Sequence, residues 1–398
     1  MRVLAILPSL PFPADNGQKH RFSHLLRNLA RHEEVALICF ADDTERQRYG
    51  GEHDQLFTEL RLVSINSMTR STRATAWLSP EPSEVRHFAS PAMDAAVREA
   101  VSRFKPDVIL SGDPALTRYV LPYRETPKAL DYVCEVLLQA RRMEALAQGM
   151  SKPLWALRRH KFARFLRQIA GVYDLCFLNS QEDLDSLREV WPHANLTVIA
   201  NGLPLAEYPL DLEAPVPNRL IYPGSVTYPP NFDAVKFFME RMMPQIRAAV
   251  PQTELWVTGA IPPEGERPQG DGLVFTGYLK DVRRTISSAW ACVVPLRLGA
   301  GGARLKVLES LALGTPMVAT AIGFEGVAVS DGVDILASDD PDGFARKTID
   351  LLRSPAQRRL LSAGGRALIE RNYDVEMLGA HYRQMLSDLV TTTVTRRA

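Results

Sequence analysis

Residues 299–316, Gly-Ala-Gly-Gly-Ala-Arg-Leu-Lys-Val-Leu-Glu-Ser-Leu-Ala-Leu-Gly-Thr-Pro, place a glycine loop ahead of a short helix that carries two cations and one carboxylate. Glycines let a backbone approach a ligand closely. A helix N-terminus adds unpaired N–H groups and a partial positive charge. With Arg304 and Lys306 beside it, the segment suits a diphosphate. Glu309, a turn or more along, is placed to accept hydrogen bonds from sugar hydroxyls next to that phosphate. Gly314 and Pro316 then end the helix. The chemistry expected here is that of a nucleotide-sugar site.

Such a loop needs strands to aim it. Arg2–Leu7 reads as a buried strand ended by Pro8, and a loop containing Asp15, Asn16 and Gly17 follows. A helix with Phe22, Leu25, Leu26, Leu29 and Ala30 on one face comes next, then a strand at Val35–Phe40. This strand–helix–strand order implies a parallel sheet. Further strands are expected at Leu60–Ile65, Asp107–Ser111, Lys128–Tyr132, Leu175–Asn179 and Thr197–Ile199, with helices near 92–104 and 182–190. Segment 201–218 is rich in proline, has little periodicity and reads as a linker. After it the rhythm restarts. Strands are expected at Arg219–Pro223, Glu254–Thr258, Leu273–Thr276, Ala291–Pro295 and Met317–Thr320, with helices near 231–250 and 282–288. The end is helical over 342–352 and 356–371, while Thr391–Ala398 is expected to fray. The division expected is 1–200, a linker at 201–218, a second domain at 219–375, and a helix and tail at 376–398. Two doubly wound α/β domains bind ligands beyond their strand ends, which points to the cleft between them.

With 398 residues the chain is too long for one ordinary core. Its 46% hydrophobic and 23% charged residues fit a globular protein. A formal net charge of +1 argues against bulk attraction to nucleic acid. The four cysteines and eight histidines have no metal-ligand spacing. No segment reaches the roughly 18 apolar residues of a membrane helix, and the expected location is cytoplasmic.

The order of motifs over roughly 200–330 resembles the GT-B glycosyltransferases, specifically glycosyltransferase family four. It runs Asn201-Gly202, Tyr222-Pro-Gly224-Ser225, Pro230-Asn231-Phe-Asp233, Leu255-Trp-Val-Thr-Gly259, Phe275-Thr-Gly277-Tyr278, Val294-Pro295-Leu, and then residues 299–316. The first half matches more loosely, through Asn16-Gly17 and Asn179-Ser180-Gln-Glu182. The pattern is similar to bacterial sugar transferases of exopolysaccharide export systems.

The resemblance implies retaining transfer of a hexose from a nucleotide diphosphate sugar, the donor in the second domain and the acceptor in the first. It implies no divalent metal and no other cofactor. Arg304 and Lys306 would neutralise the leaving diphosphate and Glu309 would hold the ribose. The family often carries a second glutamate eight positions earlier, where this chain has Gly301. The backbone of Gly301, Gly302 and Ala303 would then serve the donor. Gly224 and Ser225 at a strand end, Tyr278 near the base, Glu325 near the donor sugar and Gly17 over the diphosphate complete the expected donor set. Tight turns explain Gly224, Ser225 and Glu325 nearly as well. Asp131, at the end of an expected strand, is the candidate to orient or deprotonate the acceptor hydroxyl; a capping carboxylate is the alternative.

Segment 141–167 carries Arg141, Arg142, Lys152, Arg158, Arg159, Lys161, Arg164 and Arg167 with Glu144 as its one acid, interleaved with Trp155, Leu157 and Phe162. It reads either as a basic amphipathic helix on an anionic membrane at the inner face of the cell, near a lipid-linked acceptor, or as an ordinary helix with one buried face. Two other functions fit the same residues. One is a non-catalytic glycosyltransferase-like partner subunit; the other is a nucleotide-sugar epimerase.

Overall fold

The computed structural model describes residues 1–65, 79–133, 136–147, 149, 151–210, 212–299 and 304–397. The chain divides into two compact units, one of Met1–Ala200 with Glu376–Ala398, the other of Asn201–Gly299 with Ala303–Val375.

The first unit is built on seven parallel strands: β1 (Arg2–Leu7), β2 (Glu34–Ala41), β3 (Glu59–Ser64), β4 (Val108–Ser111), β5 (Lys128–Tyr132), β6 (Leu175–Leu178) and β7 (Leu196–Val198). Their order is β3-β2-β1-β4-β5-β6-β7. Leu4 pairs with Ala36 on one side and Ile109 on the other, so the winding reverses at β1. The side chains of β1 alternate between two cores, as a strand period of two requires. Leu4 and Ile6 join Ile38, Phe40, Ile109 and Phe162. Val3, Ala5 and Leu7 join Leu26, Leu37, Leu110 and Phe177.

The last helix, Val375–Arg397, belongs to this unit, with the Tyr382 ring 4.2 Å from that of Phe177. It runs to Arg397, through the segment expected to fray from Thr391. The hydroxyls of Thr391, Thr393 and Thr395 donate to the carbonyls four residues back, at 2.9 Å each. Leu389 and Val390 rest on the core.

The second unit has six parallel strands: β8 (Arg219–Tyr222), β9 (Glu254–Thr258), β10 (Leu273–Gly277), β11 (Ala291–Val294), β12 (Met317–Ala319) and β13 (Leu336–Ala337), in the order β10-β9-β8-β11-β12-β13. With two residues, β13 is too short to leave a period in the sequence. The helix expected at 231–250 is two helices, Pro229–Arg241 and Met243–Ala249. Pro244 has no N–H to continue the first ladder. Residues 201–218 group with this unit. Leu203 bridges to Asp374, Leu205–Glu207 forms a helical turn, and Tyr208 is buried.

Candidate active site

The helix Leu305–Ala312 follows β11 and carries the charged residues singled out above. Val307, Leu308 and Leu311 are buried, which turns Lys306 and Glu309 to its half-buried face. Arg304 is its N-cap residue, and Gly314 follows its end with a φ of 72°.

Arg304 Nη2 lies 3.3 Å from Glu325 Oε2, a mostly buried pair. A Cβ at position 299 would fall 2.6 Å from that Nη2, so Gly299 is what admits the guanidinium. Lys306 Nζ sits 3.9 Å from the centre of the Tyr222 ring and donates to Asn231 Oδ1 at 3.0 Å. Tyr222 donates to the same oxygen at 2.7 Å, and Asn231 Nδ2 donates to the Ser225 carbonyl at 2.8 Å. Asn231 therefore ties the loop after β8 to the lysine.

Burial, with Arg304 adding to it, pushes Lys306 down to about 7 against the pull of Cys292 and Glu309. Burial pushes Glu309 up to about 7, against Tyr208, Arg283 and Lys306. Both groups thus change charge near pH 7, and a polyanion would favour the charged lysine.

The second unit brings Gly224, Ser225, Arg304, Lys306, Glu309 and Glu325 onto the loops after β8, β11 and β12 and the helix after β11. Ser225 Oγ is engaged within its own loop, with Thr227 Oγ1 at 2.6 Å and the Ala260 carbonyl at 3.0 Å. Glu325 holds Arg304. Tyr278 is 80% exposed. Gly301, Gly302 and Ala303 lie outside the described residues. In the first unit, Gly17 opens the helix Gly17–Ala30, where the Asn16 side chain accepts from Lys19 N at 3.0 Å as the cap.

Asp131 requires a correction. It is fully buried, with Oδ1 taking Arg21 Nε at 2.8 Å, while Arg21 Nη1 donates to the Ile199 carbonyl at 2.5 Å. Burial raises its pKa and the guanidinium opposes the rise. Its side chain turns in from β5 to the Gly17–Ala30 helix rather than out past the strand end.

The basic stretch forms the helices Val136–Leu146 and Ser151–Gln168. Arg141 pairs with Glu189, Arg158 with Glu84 and Arg159 with Glu144. Two of these acids come from outside the stretch and were invisible in its local charge. Leu154 and Leu157 are 43% and 38% exposed. Lys152, Arg164 and Arg167 of the same helix are also exposed. Among the described residues no helix is long and apolar enough to cross a membrane.

Three participants went unassigned in the sequence. Asn231 and Tyr222 stand within the quoted motifs, but nothing local says that they seat Lys306. Tyr208, whose hydroxyl donates to Glu309 Oε1 at 3.1 Å, lies in the segment read as a linker. The one available signal was an aromatic residue inside a proline-rich run.

Residues 217–354 match the family described as Glycosyl transferases group 1. The GDP-mannose-dependent monoacylated alpha-(1-6)-phosphatidylinositol monomannoside mannosyltransferase of Corynebacterium glutamicum is 28% identical over 160 residues, 37% of this chain and 42% of that protein. The chain spans less than half the length of the curated relatives it matches first. The sucrose-phosphate synthase of Thermosynechococcus elongatus superposes with a TM-score of 0.71 over 98% of this chain and 100% of its own, at 18% identity. HepE of Anabaena, in complex with UDP, gives 0.65 over 98% and 100%, at 14% identity. At these identities the superpositions establish the fold, GT-B.

Proposed function

From a chain whose residues 217–354 form a group 1 glycosyl transferase domain on a GT-B fold, we propose a retaining hexosyltransferase that uses a nucleotide diphosphate sugar and a saccharide or lipid-linked saccharide acceptor. The observation that carries this reading is the placement of Arg304 and Lys306 at the head of one helix, with Glu309 further along its half-buried face. The cations and the helix N-terminus stabilise charge as it develops on the leaving diphosphate. Glu309 holds the ribose. The bond from the anomeric carbon to the diphosphate oxygen breaks, and the acceptor oxygen bonds to that carbon on the same face. The acceptor proton passes to the departing phosphate oxygen, so the reading needs no protein nucleophile and assigns no step to a metal. HepE, solved with UDP and with UDP-glucose, supports a nucleotide-sugar donor by likeness of fold.

A thermal-shift screen of UDP-, GDP- and dTDP-sugars, followed by a transfer assay with the stabilising donor, tests this. Arg304→Ala is expected to lower transfer by about 10²-fold or more, beyond the loss of stability that follows from leaving Glu325 without its mostly buried partner. A fully active Arg304→Ala would sink the diphosphate assignment. A donor-binding subunit without transfer activity is the second reading, favoured by Gly301 where the resembled family carries an acid. Donor hydrolysis measured beside nucleotide titration separates the two.

The location that fits a lipid-linked acceptor is the inner face of the cell membrane. The Ser151–Gln168 helix supports it through exposed Leu154 and Leu157 with exposed Arg164, two turns past Leu157, on the same side, and through exposed Lys152 and Arg167 elsewhere on its surface, cations suited to anionic headgroups.

A further inference from the structure

Tyr208 stands in a segment that belongs to neither sheet, yet it is 6% exposed. It is held on three sides. Its hydroxyl donates to Glu309 Oε1 at 3.1 Å. Its carbonyl accepts from Arg366 Nη1 at 2.6 Å, and the same Nη1 donates to the carbonyl of Ala312, the last residue of the helix that carries Glu309. Arg366, on the Pro355–Asn372 helix, is itself anchored by Glu370 at 2.6 Å. Arg283 lies over the Tyr208 ring at 5.7 Å, with its Nη1 on the Glu207 carbonyl at 2.6 Å.

A glutamate on a helix face loses rotamer freedom when it is recruited to a ligand, and that loss weakens binding. A bond already made to one carboxylate oxygen removes part of this cost before the ligand arrives. Among the described residues Glu309 Oε1 is taken by Tyr208, and Oε2 makes no protein hydrogen bond. We propose that Tyr208, clamped by Arg366, is the positioning residue that presents Glu309 to the ribose diol of the nucleotide. This rests on the donor-site reading above and adds to it a requirement lodged in the linker segment.

The charged and titratable groups facing Glu309 are Tyr208, Arg283, Lys306, Asp281 and Cys292. The tyrosine hydroxyl donates to the ionised carboxylate and opposes the burial that raises Glu309. Removing that donor leaves Glu309 protonated to higher pH. Lys306 titrates in the same range, so nucleotide affinity alone mixes two groups. Comparing a ribose nucleotide with its 2′,3′-dideoxy form isolates the part due to Glu309.

The test is isothermal titration of full-length wild type, Tyr208→Phe and Arg366→Ala with UDP and GDP, each beside its dideoxy form, at about pH 6.5 and about pH 8.5. For the nucleotide that wild type binds, Tyr208→Phe should weaken the ribose form by about tenfold at the lower pH and by less at the higher. The dideoxy form should change by less than about twofold, since its binding never used the carboxylate. Arg366→Ala should act in the same direction; if it does not fold, Tyr208→Phe, which keeps the buried ring, decides alone. Equal losses for ribose and dideoxy forms would reduce Tyr208 to a structural role and overturn the proposal, as would no loss at all. Failure of wild type to bind either nucleotide would instead remove the donor-site reading, and this proposal with it.

Discussion

The ammonium of Lys306 rests over the ring of Tyr222, 3.9 Å from its centre, in a space that exists because residue 224 has no side chain. A Cβ at 224 would meet Lys306 Nζ at 2.8 Å and Asn231 Nδ2 at 2.9 Å, and the residue has a φ of 151°. Gly224→Ala is therefore expected to displace the lysine and strain the loop. It should cost about 1–3 kcal/mol of stability and weaken pyrophosphate binding by about tenfold. Denaturant unfolding and calorimetric titration with pyrophosphate check both. Unchanged pyrophosphate affinity would remove Lys306 from the phosphate site.

The same lysine and Glu309 set an expected dependence of stability on pH. Lys306 falls from 10.5 to about 7, so between those values the unfolded chain binds more protons and stability rises with pH. Glu309 rises from 4.5 to about 7, so over that interval the folded chain binds more protons and stability falls with pH. Together the two groups produce a minimum near pH 7 in the ligand-free protein. Melting temperatures at about pH 5, 7 and 9 should show wild type losing ground to Glu309→Gln across the first interval and gaining on Lys306→Met across the second. Parallel curves for wild type and both variants would contradict the assigned shifts.

Asp131 is expected to act on stability. Removing one member of a buried ion pair leaves the other charge uncompensated, and Arg21 is as buried as its partner. Asp131→Ala should cost about 3–5 kcal/mol, with much of it recovered in the Arg21→Met/Asp131→Ala double variant. Denaturant curves of the three variants test this. An Asp131→Ala protein of wild-type stability that had lost transfer would restore the acceptor role read from the sequence.

Membrane contact by the Ser151–Gln168 helix draws on its exposed cations Lys152, Arg164 and Arg167. Changing all three to Gln should lower partition onto phosphatidylglycerol vesicles by about 10²-fold, at roughly 1 kcal/mol per charge. Arg158→Gln with Arg159→Gln should affect partition less and lower the melting temperature, because Glu84 and Glu144 lose their partners. Unchanged partition of the triple variant would end the membrane reading.

The parallel strands other than β13 were legible in the sequence because each is a short apolar run bounded by loop residues, and the run carries its own signal. The head of the Leu305–Ala312 helix was legible for the same reason, with glycines, cations and a terminating glycine and proline close together in the chain. What was misread lay where local pattern and final environment part. Asp131 looked like a carboxylate at a strand end, yet Arg21 meets it across 110 positions. Thr391–Ala398, expected to fray, continues the helix as far as Arg397, where threonine hydroxyls return to the helix's own carbonyls.

The sequence by itself determined the α/β alternation, the family likeness and the cluster of Arg304, Lys306 and Glu309, since spacing along the chain expresses all three. Only the tertiary structure decided which partners tune them. Tyr208 reaches Glu309 across 101 positions and Asn231 reaches Lys306 across 75, and no periodicity records such pairs. Burial supplied by the whole unit, with Arg304 adding to its effect on Lys306, brings both titrating groups to about 7.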